Sequence, residues 1–210
     1  SGGSIETAKD LSSMITGQFN DQVFAQQLFN TNFAPQNLIF DNQINTGEAI
    51  NNLNLSRVFV LTTGSSASAS ELVINALNPY INVVQIGTTT EGKFEGSATL
   101  YDSEDYTRSN VNLDHTYAIQ PLILKTANKD GFTDFFDGLD PDIESRESFS
   151  NLGILGNPNE TLLNRALQEI IPGFAPTSNE SKSIHSIELL GEDDMSSPSF
   201  QRMYTEYKNK

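Results

Sequence analysis

Two short apolar runs, RVFVL at 57–61 and NVVQIG at 82–87, flank a helical stretch, SASELVINALN at 68–78. Both runs are rich in β-branched residues and lack apolar–polar alternation, as expected of strands buried on both faces. Leu72 and Ala76 stand one turn apart on the intervening helix, and Pro79 stops it. Strand, helix and strand at this spacing form a βαβ unit, so the two strands run parallel and their C-terminal ends share one rim. The chain is therefore α/β, and that rim is where open α/β sheets bind ligands.

The rim carries hydroxyls and one amine. In GSSASASELVINALNPYINVVQIGTTTEGK (64–93), Ser68 follows the first strand at the mouth of the crossover helix. Lys93 follows the second strand, twenty-five residues later. A serine is a weak nucleophile and needs a base. An amine serves only when neutral, and a free lysine titrates at about 10.4, so a lysine base must be desolvated. Its neighbours Glu91 and Glu95 would have to point away. Oxyanion donors are available at helix N-termini, where amides lack intrahelical partners. The Ala69 N–H is one, and the Gly2–Gly3 elbow before the first helix offers a second. Each feature also has a structural explanation: Ser68 to Glu71 is an S-x-x-E capping box, a loop lysine is usually solvated, and a glycine pair makes a turn.

The remaining chain builds around this unit. Residues 4–16 predict a helix with Ile5, Ala8, Leu11 and Ile15 on one side, Ser4 as N-cap and Gly17 as stop. Residues 18–56, rich in Asn and Gln, read as a long excursion with a helix-like piece at 43–53. Segments 96–102 and 116–127 predict later antiparallel strands, and 131–143 is turn-rich. NETLLNRALQEII (159–171) predicts an amphipathic helix with Leu162, Leu163, Ala166, Leu167 and Ile170 inward. We expect a core over 1–175 and a polar tail over 176–210, in which SIHSIELL could add an edge strand.

Composition excludes several functions. Twelve basic and twenty-seven acidic residues give a formal net charge of −15, which repels nucleic acid. There is no cysteine, hence no thiol chemistry or disulfide. No apolar run reaches membrane-spanning length. Neither YDSEDY (101–106) nor GEDDM (191–195) matches an ordered calcium loop, and His115 and His185 stand in no ligand spacing. No cofactor or metal is expected.

The segment around S-A-S-E, with G-K twenty-five residues on, resembles the signature of the C-terminal processing peptidases, or tail-specific proteases. GGSIETAKDLSSMI resembles that family's glycine-led helix opening, whose glycine supplies an oxyanion N–H. YAIQPLILKTANKDGF and GLDPDI resemble its strand pair ending in G-x-x-P-D, here Gly138 to Asp142. NETLLNRALQEII resembles the helix that usually follows. The resemblance implies a crotonase-like α/β protease core lacking its first strands and any PDZ-like domain. It implies a serine endopeptidase with Ser68 as nucleophile and Lys93 as base, acting on polypeptide tails in the periplasm or cell envelope. Where many members carry Gln or Glu four residues after the lysine, this chain has Ser97, the candidate for orienting Lys93. The isolated fragment could be inactive, and homo-oligomerisation stays open. A non-catalytic ligand- or peptide-binding module is the alternative, since retinoid-binding repeats are similar in fold. A crotonase-type acyl-CoA enzyme is a third reading, disfavoured by the absence of a basic patch.

Overall fold

The computed structural model describes residues 2–30, 34–148, 152–174 and 203–205. Along the chain run β1 (Gly3–Ser4), α1 (Ile5–Thr16), β2 (Val23–Phe29), β3 (Gln36–Ile39), β4 (Arg57–Thr62), α2 (Ala69–Leu77) and β5 (Asn82–Gly87). There follow β6 (Glu95–Ala98), β7 (Leu100–Tyr101), β8 (Ala118–Ile119), β9 (Leu122–Ala127), β10 (Ile143–Glu144), α3 (Thr161–Ile170) and β11 (Met203–Thr205).

The βαβ unit forms, but RVFVL is not buried on both faces: β4 is the edge strand of its sheet, with Leu61 exposed and Val58 to Val60 only partly buried. Strands β4 and β5 pair in parallel from Arg57↔Asn82 to Thr62↔Gly87, and α2 connects them. Strand β10 adds in parallel to the other side of β5, giving the order β10-β5-β4. A second sheet has the order β1-β11-β6-β9-β2-β3, and its β6–β9, β9–β2 and β2–β3 pairs are antiparallel. One core joins the two sheets. It holds Ile5 of α1, Leu72 and Leu77 of α2, Phe24 of β2, Leu124 of β9 and Met203 of β11, with Phe40 and Phe94. Burying each such side chain contributes about 1.5–3 kcal/mol. Phe40 also packs edge-on against Phe24 and Tyr80.

Several local expectations change. The buried face of α1 is Ile5, Ala8, Lys9, Ser12, Ser13 and Thr16, while Leu11 is exposed. Ser12 and Thr16 can be buried because their hydroxyls donate to the carbonyls of Ala8 and Ser12, four residues back. Residues 18–56 are no mere excursion: β2 lies between β9 and β3 inside the larger sheet. No helix forms at 43–53, where an isolated bridge joins Gln43 and Ala49. In 116–127, β8 and β9 are separated at Gln120–Pro121, and proline has no N–H for a ladder. Helix α3 buries Leu162 and Ala166 but exposes Ile170. It is capped by Glu160, whose carboxylate accepts from the Leu162 and Leu163 amides at 3.0 and 2.8 Å. The SIHSIELL segment, with His185, and GEDDM lie outside the described residues. Met203–Thr205 supplies a strand between β1 and β6 that hydropathy did not mark.

Candidate active site

Ser68 is the N-cap of α2, with φ 64° and ψ −119°. A non-glycine residue in this region carries strain of order 1–3 kcal/mol, sustained only where the surroundings over-determine it. The Ser68 side chain stands over the first helical turn as in a capping box, yet it makes no cap hydrogen bond. Its Oγ is fully buried and has no partner among the described residues. A buried hydroxyl without a partner is costly, so it is a feature that needs a use.

The surrounding loop is rigidly bonded. The Thr63 N–H donates to Ser66 Oγ at 3.1 Å, and the Ser66 N–H donates to the Thr63 carbonyl at 2.9 Å. Across the rim, the Glu91 N–H donates to the Ser66 carbonyl at 2.9 Å. The main connection is Glu71, which is completely buried. Its Oε2 accepts from the Ser68 N–H at 2.6 Å and from the Lys93 N–H at 2.9 Å. Its Oε1 accepts from Thr90 Oγ1 at 2.5 Å and from the Gly92 N–H at 2.7 Å. One carboxylate thus holds both loops, with the Ser68 and Lys93 amides sharing a single oxygen.

The second loop is braced from behind by the segment 138–142. The Thr90 N–H donates to the Leu139 carbonyl at 3.1 Å, and the Leu139 N–H donates to Thr90 Oγ1 at 2.8 Å. Thr89 Oγ1 donates to Asp140 at 2.8 Å, and the Gln85 N–H donates to Asp142 at 2.8 Å. Gly92 and Gly138 have φ of +91° and +88°, and a Cβ on either would fall within 2.4 Å of backbone oxygen across the contact. Only glycine allows these loops to lie so close. The G-x-x-P-D segment therefore supports the lysine loop directly.

Lys93 is half-buried. Among the described residues it forms no salt bridge with Glu91, Glu95 or any other acid. Ser97 lies on β6, and its hydroxyl donates to the Met203 carbonyl at 3.1 Å. Its proton is therefore committed to β11.

Beside Ser68 lies a cavity of about 500 Å³. Gly2, Gly3 and Ala69, the three oxyanion candidates, all line it, together with Val60, Leu61 and Ile74. Ser68 and Lys93 do not line it, although Ser66, Ala69 and Ser70 on either side of Ser68 do. Gly3 does not simply precede a helix: it pairs with Met203 in β1, and Ser4 caps α1 without a side-chain bond. Among the described residues no group of His, Asp and Glu could hold a metal. His115 pairs with Asp102 at 3.1 Å in the loop after β7. Hydrogen bonds from Asn112, then His115, hold the Asp102 carboxyl below the usual carboxylate range. Glu71 and Thr90 are the site residues that sequence reasoning missed, since Glu71 was read only as the cap partner of Ser68. The available signal is the Thr88-Thr89-Thr90 run, one residue ahead of Gly92-Lys93.

The profile of Peptidase family S41 matches residues 1–145. A solved protein described as a candidate S41 protease of Bacteroides fragilis is 33% identical, with a TM-score of 0.67, over 80% of this chain and 42% of its own. More distant are a photosystem II D1 C-terminal processing protease (17% identity, TM-score 0.48, 68% of this chain and 31% of its own) and a candidate peptidase of Parabacteroides merdae (15%, 0.49, 81% and 49%). The chain thus spans less than half the length of these solved proteins. No match was found among curated protein sequences. On the profile match, which takes in more than half of the sequence, the chain belongs to Peptidase family S41.

Proposed function

We propose that this chain carries the nucleophile and base of a serine endopeptidase with a crotonase-like core, its catalytic residues lying within residues 1–175 and its sheet completed by β11 from the otherwise polar stretch 176–210. Ser68 Oγ attacks the scissile carbonyl carbon of a polypeptide, forming an ester bond while its proton passes to the neutral Lys93 amine. Lys93 then gives that proton to the leaving nitrogen as the C–N bond breaks. Water attacks the ester, releasing the new carboxyl terminus and restoring the serine. The Ala69 and Gly3 amides, with Gly2 alongside, stabilise the oxyanion. Ser97 orients Lys93 through its lone pairs. Substrates are cut near their C-terminal tails, in the periplasm or cell envelope.

The observation that carries this reading is the strained, buried and unpartnered Ser68, tied to the Lys93 backbone through one carboxylate. In the intact protein, Ser68→Ala should abolish peptide hydrolysis, and Lys93→Ala should lower it by at least about a thousandfold. Normal cleavage by either variant rules the dyad out.

One observation favours a second reading. Ser68 is covered, and the neighbouring cavity is walled largely by apolar side chains, which suits a module that binds a ligand or peptide without cutting it. The same assay decides, because a binder shows no serine-dependent hydrolysis at all.

A further inference from the structure

We infer that Glu71 is a positioning residue that sets the reach between the Ser68 hydroxyl and the Lys93 amine by holding their two backbones to one oxygen; this rests on the dyad proposed above. A helix cap requires only the bond from the Ser68 N–H, and an exposed glutamate would supply it. Here the carboxylate is entirely buried, and among the described residues no cation is paired with it. A charge in that setting is costly unless its lone pairs are filled. They are filled by four donors, three of which come from the lysine loop nineteen to twenty-two residues away. The bonding is therefore directed across the site more than along the helix.

The two oxygens have separate duties. Oε2 joins Ser68 to Lys93, while Oε1 takes Thr90 and Gly92 and so holds the strand exit that leads into the lysine. A glutamine at 71 offers one acceptor oxygen, and its NH₂ would face N–H groups where the second oxygen now accepts. It preserves the volume and loses half of the junction. Thr90 is the second handle, because its hydroxyl donates to Glu71 and accepts from the Leu139 N–H.

The test is the rate at which a fluorophosphonate probe labels Ser68 in the intact protein. It is followed from pH 5 to 10 alongside the melting temperature, for wild type, Glu71→Gln, Thr90→Val and Thr90→Ser. A misplacement of the order of 1 Å costs about a hundredfold in rate, so Glu71→Gln should slow labelling about a hundredfold at neutral pH. The pH midpoint of labelling should also move, because the substitution removes a buried negative charge bonded to the Lys93 backbone. Thr90→Val should slow labelling about tenfold, and Thr90→Ser should restore it. A purely structural role moves the melting temperature and leaves the midpoint and the folded-state rate alone. If Glu71→Gln labels at the wild-type rate with an unchanged midpoint, the inference is overturned. If that variant does not fold, Thr90→Val decides by the same two readouts. Wild-type labelling on a serine other than Ser68 overturns the dyad and the inference with it, whereas normal Ser68 labelling untouched at Glu71 overturns only the inference.

Discussion

The two helix entrances that wall the cavity are built by opposite means. At α2, Ser68 is forced to a positive φ, its N–H is held by Glu71, and its loop is bonded both to itself and to the loop after β5. At α1, Ser4 takes an ordinary extended conformation with no side-chain cap, and Gly3 pairs with β11 in a two-residue strand. A Cβ on Gly3 would meet no atom within 4 Å. Buried polar bonding is thus concentrated at the entrance that carries the hydroxyl. The opposite wall presents Gly2 and Gly3, without side chains, to the cavity. Strain can persist at Ser68 because its surroundings are fixed, whereas Gly3 needs no such support.

Substitutions at the two entrances should therefore differ in size and in sign. Glu71→Ala should be the most damaging, because it leaves four donors at a buried site without their acceptor; at about 1–3 kcal/mol for each unsatisfied group, chemical denaturation should show a loss of several kcal/mol. Gly92→Ala should follow at about 2 kcal/mol or more, since its Cβ would meet the Phe136 carbonyl at 2.4 Å and φ is +91°. Ser68→Gly should go the other way. Relief of strain, less the entropy glycine adds to the unfolded chain, should stabilise the fold by about 1 kcal/mol while removing all hydrolysis. Ser4→Ala should change stability by less than about 0.5 kcal/mol, because no cap bond is lost. If Ser4→Ala costs as much as Gly92→Ala, the contrast between the entrances fails.

Much of this arrangement could be read from residue order. The βαβ unit was legible because RVFVL and NVVQIG are continuous apolar runs around a helix that Pro79 ends, and topology then put Ser68 and Lys93 on one rim. Strand β2 was not legible. VFAQQLF mixes polar and apolar residues, and Gln27 is buried by its neighbours in the larger sheet, which no local pattern announces. The face of α1 was misread because Ser12 and Thr16 satisfy their hydroxyls within the helix, so hydropathy undervalues their burial. Glu71 was visible as a cap but not as a bridge, since its other three donors are brought to it only by the folded crossover.

The most direct test of the central claim is to map the adduct of a fluorophosphonate on the intact protein by mass spectrometry, with Lys93→Ala in parallel. The account predicts a single phosphonylated serine at position 68 in the wild type and almost none in the variant. Modification of a different serine, or equal labelling of Ser68 without the lysine, would contradict it.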